Sequence, residues 1–213
     1  MELKYEYLLF FHALAGSLGL LMGLAAALFR KGSANHNRVG RAFGGLMILA
    51  GASAVILALW HPNSFLLAIG FFTLYLVSSG WVWIRRTPFS RKVKTAKMVG
   101  SLGLVAALYM IYIGYTTGRG AIVLYIFAGI LSVFALSDLF KKASPVKAAS
   151  NHGGRMGGAL IAAITAFLAT NATFLPELVI WLGPTIIGSP LIAIGIRSYY
   201  KRNDRSVNKK PLS

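Results

Sequence analysis

The chain has 213 residues, of which 56% are hydrophobic and 13% charged, whereas soluble domains carry roughly 25% charged residues, so this apolar surface calls for lipid. The net charge of +17 is spread between long apolar runs rather than gathered on one face, which is the pattern of membrane topology and excludes a nucleic-acid-binding surface. The absence of cysteine excludes disulfides, iron–sulfur clusters and thiolate metal sites.

Seven apolar runs, 7–29, 42–60, 65–84, 99–117, 121–140, 157–174 and 178–196, are each near the ~20 residues that cross a ~30 Å hydrocarbon core. The residues before the first run, Met1-Glu2-Leu3-Lys4-Tyr5-Glu6, are net negative, and Arg30 and Lys31 follow it. This order fits an uncleaved first helix entering from outside better than a signal peptide, whose positive region comes first. His12 lies about five residues into the run, roughly 7–8 Å along a helix axis. It shares a helical face with Gly16, Gly19 and Gly23, a stripe that suits close helix packing or the approach of a flat ligand. A histidine in lipid faces the bundle interior, either hydrogen-bonded to a neighbouring helix or in a functional site.

The loop 30–41 contains His36, Arg38 and Arg41, and Gly44-Gly45 follows. The second and third runs are separated at His61-Pro62-Asn63-Ser64, a turn signal because proline disfavours helix at the residue before it. Tyr112 and Tyr115 end the fourth run. Asp138 is an acid within the fifth run, close to Lys141 and Lys142. Its alternatives are a local salt bridge at i, i+3 or i+4, proton exchange, or a partner for Arg155. The loop 141–156 carries His152 and Arg155, and the sixth run ends in Thr170, Asn171 and Thr173. With Tyr112, these are candidate hydrogen-bonding groups for a pocket around His12. In the seventh run Gly183-Pro184 and Ser189-Pro190 are expected to bend the helix or break it locally. Trp60, Trp81, Trp83 and Trp181 suit interfacial anchors.

Lys and Arg counted through successive segments give 1, 4, 0, 6, 1, 4, 0 and 6, an alternation without exception. The positive-inside rule then puts the N-terminus outside and the C-terminus in the cytoplasm, as expected for a protein of a cytoplasmic (inner) membrane. The expected architecture is an all-α seven-transmembrane-helix bundle over 1–196 with a basic cytoplasmic tail, 197–213, which either lies against anionic lipid or is simply solvated. Asn35-His36 and Asn151-His152, each followed by arginine and a Gly pair before an in-to-out helix, suggest a parallel three-plus-one-plus-three repeat.

The histidines sort into an outer pair, His12 and His61, and an inner pair, His36 and His152. Facing imidazoles can ligate the iron of a b-type haem, nearby glycines can admit the macrocycle, and Arg38, Arg41 and Arg155 can hold its propionates. Zinc at His36 and His152 fits less well, since Asp138 is the nearest acid to complete a four-ligand set. Each loop histidine equally suits a turn or helix cap. No Gly-x-Ser-x-Gly elbow, His-Glu-x-x-His or phosphate-binding lysine loop is present.

His12-x-x-x-Gly16, His36-Asn37-Arg38-Val39-Gly40-Arg41, Phe72-Thr73-Leu74-Tyr75-Leu76, Arg155-Met156 and Thr165-Ala166-Phe167 together resemble an uncharacterised family of small bacterial polytopic membrane proteins. The likeness covers most of 8–175, and Asn37 departs from the family's His-Arg pattern. It implies a polytopic membrane fold and no assigned activity. Three functions follow from the residues: a histidine-centred site for haem b and electron transfer, a proton-coupled small-molecule or ion transporter using His12, Asn171, Tyr112 and Asp138, and a structural or assembly subunit. Oligomerisation is compatible with each.

The orientation is checked on this cysteine-free background. A cysteine at Ser64 should react with an impermeant reagent added to intact cells and one at Ser90 should not; the reverse pattern would overturn the assignment.

Overall fold

A computed structural model describes residues 2–118, 121–140, 144, 147–172 and 174–207. Among these residues seven helices follow in order: α1 (Glu2–Leu28), α2 (Ala34–Trp60), α3 (Ser64–Ile84), α4 (Phe89–Thr117), α5 (Ala121–Phe140), α6 (Ala148–Asn171) and α7 (Glu177–Val207). Each has a stretch long and apolar enough to cross a membrane, and no strand occurs among the described residues. Leucines, isoleucines and valines such as Leu102, Val105, Ile122, Val133, Ile186 and Leu191 face outward. So wide an apolar exterior is stable against lipid and not against water, and the chain is an integral membrane protein.

The helices start earlier than the apolar runs do. α2 begins at Ala34 rather than near 42, α4 at Phe89 rather than near 99, and α6 at Ala148 rather than near 157. His36, His152 and Arg155 are therefore helical residues and not loop residues. Lysine and arginine are good helix formers whose stems can lie along apolar surface, so the helix outlasts the hydropathy signal. Asn63 starts α3 by accepting the Leu66 N–H at 2.9 Å, and Ser33 starts α2 by accepting the His36 N–H at 3.2 Å. α7 runs as a single helix through Pro184 and Pro190. The prolines leave the Ile180 and Ile186 carbonyls without their helical donors.

α3 is the hub. It packs on α2, α4, α5 and α6, while α1 lies against α2 and α6, and α7 against α6. Its buried positions include Ala68, Leu76, Val77 and Ser79. Glycines set several helix contacts at backbone distance. Gly51 and Gly70 face one another across α2 and α3, Gly44 receives the Trp81 indole, and Gly103 receives the Tyr75 ring. The two halves pair differently, because α1 and α2 form an extensive antiparallel pair whereas α5 packs chiefly on α4 and α3.

Candidate functional site

The site grows from three apolar helices that each contribute polar side chains at the same depth. α3 carries Tyr75 and Ser79 four residues apart, hence on one face. α5 carries Asp138 near its end, and α6 carries Arg155 two turns after its start. At 1.5 Å per residue from the helix ends that bear the basic loops, the backbone positions lie about 3 Å (Asp138), 7 Å (Ser79), 10 Å (Arg155) and 13 Å (Tyr75) along their own helices, and the side chains span the difference to meet.

Arg155 Nη2 donates to Asp138 Oδ1 at 2.6 Å, with the two side chains 7% and 3% exposed. The Tyr75 hydroxyl donates to Asp138 Oδ2 at 2.6 Å. Arg155 Nη1 donates to Tyr75 Oη at 2.8 Å and to Ser79 Oγ at 2.9 Å. Ser79 passes its own proton to the Leu76 carbonyl at 3.2 Å. Both carboxylate oxygens and both terminal guanidinium nitrogens are thus engaged. The guanidinium carbon also sits 5.6 Å from the Tyr75 and Phe134 ring centroids, where aromatic faces favour a cation. Glycine on α4 makes the room: a Cβ on Gly100 would come within 3.1 Å of Asp138 Cβ, and one on Gly103 within 2.8 Å of the Tyr75 ring.

Beside the network, where α5 ends and α6 begins, a cleft of about 190 Å³ is lined by Phe134, Ser137, Ser150, Asn151, Gly154 and Arg155.

Asp138 is paired with Arg155; the local partners Lys141 and Lys142 lie outside the described residues. Three histidines form a second pattern. His12 Nδ1 donates to the Ala50 carbonyl at 3.0 Å and is 3.1 Å from Ser53 Oγ. His36 Nδ1 donates to the Ala26 carbonyl at 3.0 Å, and His152 Nδ1 to the Gly80 carbonyl at 3.0 Å. A carbonyl oxygen can only accept, so each ring carries a proton on Nδ1, and the neutral imidazole then keeps its lone pair on Nε2. His12 and His36 are reciprocal latches at opposite ends of the α1–α2 pair. His36 on α2 and His152 on α6 bond different helices, α1 and α3.

The remaining sequence candidates are dispersed. His61 is exposed and packs edge-on against Tyr5, ring centroids 4.2 Å apart, away from His12. Arg38 and Arg41 are exposed. Tyr112 is 60% and Tyr115 83% exposed, on α4, which does not pack on α1. Asn171 is exposed and bonds its own helix at the Phe167 carbonyl, 2.9 Å. Thr173 lies outside the described residues. On the α1 glycine stripe, a Cβ on Gly19 would meet Met47 and one on Gly23 would meet Phe43 and Leu160, whereas Gly16 faces open space. Two of the three glycines therefore serve helix packing. No group of three or more metal-ligating side chains forms among the described residues.

Tyr75 and Ser79 were not legible as site residues, because both stand inside an apolar run. The signal present was their i, i+4 spacing together with Gly100 and Gly103 at i, i+3 on the helix that closes over them.

Removing one member of this ion pair should cost more than removing both. Asp138→Asn is expected to destabilise the folded protein by about 3–5 kcal/mol, because it leaves a buried guanidinium uncompensated. The double change Asp138→Asn with Arg155→Gln should regain most of that loss, as measured by detergent-phase unfolding of both variants. Additive losses would contradict a coupled pair. No family model, curated protein or solved structure matches the chain, so its functional reading rests on these residues.

Proposed function

We propose that the chain is a proton-coupled transporter of a small anion, with Asp138, Arg155, Tyr75 and Ser79 as its binding centre and the basic end in the cytoplasm. The observation that carries this reading is a buried Arg155–Asp138 pair whose arginine also lines a cleft with Ser137, Ser150 and Asn151. Ionisable residues within membrane spans are rare, pair with one another and mark ion and substrate pathways.

The chemistry follows from charge. With Asp138 ionised, its carboxylate neutralises Arg155 and occupies the site where an anion would bind. A proton delivered through the cleft to Asp138 removes that internal competitor. The guanidinium then offers its positive charge and two planar donors to a carboxylate or phosphate oxygen. The anion enters as the proton is taken up, so one proton and one monovalent anion move together and the low-dielectric interior holds no net charge. Tyr75 and Ser79 stay hydrogen-bonded to Arg155 throughout and hold the guanidinium in plane. The cleft, about 190 Å³, suits an ion of a few heavy atoms. α7 is the natural moving part: it packs on α6 alone among the extensive contacts, and its two prolines weaken its backbone ladder.

A second reading, b-type haem and electron transfer, is favoured by the inner histidines, since His36 and His152 both present Nε2 with Nδ1 fixed by a carbonyl. That geometry suits an axial ligand. Against it, space expected for a macrocycle is filled beside Gly44 by Trp81, beside Gly153 by Ile196 and beside Gly157 by Ile192.

Purified protein in liposomes should take up a labelled small anion from a panel of acetate, lactate, succinate, phosphate and sulfate when a proton gradient is imposed, and take up little without one. Asp138→Asn and Arg155→Gln should each lower uptake at least about tenfold, the equivalent of 1.4 kcal/mol of lost site free energy. The double variant should be folded and equally inactive. Uptake by the double variant at the wild-type rate, or none by wild type in either gradient direction, would overturn the proposal. A Soret band shifting on reduction in the same preparation, and lost in His36→Ala and His152→Ala alike, would install the haem reading instead.

A further inference from the structure

A second cationic feature lies at the basic end, apart from the ion pair and independent of the transport reading. The α1–α2 turn folds against the last turns of α7: Arg202 Nη2 donates to the Lys31 carbonyl at 3.0 Å, and Lys31 Cε is 3.7 Å from where a Gly195 Cβ would stand. Between them is a cleft of about 310 Å³ lined by Arg30, Lys31, Gly32, Ser33, Tyr199 and Arg202. Three of these six are cations and none is an acid.

The turn is built to keep that charge in place. Gly32 has φ 83°, a conformation that glycine adopts without strain and that reverses the chain tightly. Lys31 Nζ donates to the Ala26 and Ala27 carbonyls at 3.0 and 2.7 Å, capping the negative end of α1. Ser33 is the N-cap of α2, so the positive end of a helix also borders the cleft. Lys31 is half-buried, and burial pushes its ammonium down from the ordinary lysine value. A neighbouring anion would offset that cost.

Position selects the ligand's surroundings. The cleft sits where the apolar span of α1 ends at Leu28 and that of α7 at Arg202. Leu28 and Phe29 beside it are exposed. Cationic groups above outward-facing apolar side chains match a phosphate group carried on acyl chains. Tyr199 adds an amphipathic ring at the same level.

We propose that the Arg30/Lys31/Arg202 cleft is a binding site for a phosphate group, supplied by an anionic phospholipid headgroup at the membrane surface. Arg30 and Arg202 provide the planar donors, Lys31 a fixed point charge, and Ser33 and Tyr199 hydroxyls that can bond the remaining phosphate oxygens.

The test is native mass spectrometry of the full chain released from nanodiscs made of equal phosphatidylglycerol and phosphatidylcholine, alongside thermal unfolding in detergent with millimolar inorganic phosphate. Wild type should retain phosphatidylglycerol over phosphatidylcholine, and Arg30→Gln with Arg202→Gln should reduce that preference by roughly tenfold or more, as expected for two basic side chains at an anionic surface. The charge-matched control, Arg85→Gln with Arg86→Gln, should leave it unchanged. Arg30→Gln alone preserves the Arg202 contact with the turn and should give an intermediate loss, which separates binding from folding. If lipid preference is absent but inorganic phosphate stabilises wild type and not the double variant, the site stands with a soluble phosphate compound as its ligand. Equal retention of both lipids with no phosphate effect, or equal losses in the control, would overturn it.

Discussion

The arrangement depends on the cost of holding an arginine in a low-dielectric interior. A guanidinium at membrane depth must have a counter-charge and full hydrogen bonding, or it will drag water or lipid headgroups inward. Asp138 supplies the counter-charge, Tyr75 and Ser79 the remaining partners, and Phe134 and Tyr75 the aromatic faces. This requirement ties α3, α5 and α6 to one register. A slip of one residue in any of them would turn its polar group away by about 100°.

The same requirement accounts for the glycines of α4. With large residues at 100 and 103, α4 would stand away from Asp138 and Tyr75, and the gap would admit water or lipid to the ion pair. Close approach seals that side of the pair. Elsewhere the same device joins α2 to α3 through Gly51 and Gly70, and α6 to α7 through Gly157, Gly188 and the isoleucines that fill them. Small residues at helix contacts replace the hydrophobic driving force that lipid does not provide. The histidine latches add direction to this packing, since each ties one helix to a carbonyl of its neighbour. His12 and His36 do so reciprocally and set the slide of α1 along α2.

Seven helices were legible because each spans enough apolar residues to cross a bilayer, and hydropathy measures that property directly. Their ends were not, because the basic first turns of α2, α4 and α6 are as helical as the apolar residues after them and carry no hydropathy signal. Asp138 and Arg155 were both visible as candidates. Their union is one of several readings the sequence allows and needs the fold to select it, since the partners are 17 residues apart on different helices. Tyr75 was hidden by its neighbours in an apolar run, where an aromatic residue reads as packing. The hydrogen bond of His12 to a neighbouring helix is one of the two readings that the cost of an unpaired imidazole in lipid allows, beside a functional site. The outer pocket built from Tyr112 and Asn171 was not assembled, because periodicity gives a helix its faces but not its neighbours.

In the proposed transport cycle Asp138 gives up its place on Arg155 to an anion when it takes up a proton. Infrared difference spectroscopy of the reconstituted protein observes that proton directly, as the carbonyl stretch of a protonated carboxyl group in a dry site. Acidification together with the anion that the liposomes accumulate should produce this band in the wild type and not in Asp138→Asn, and neither acid nor anion alone should suffice. A band that appears without the anion, or that persists in Asp138→Asn, would contradict the exchange and return the pair to a structural role.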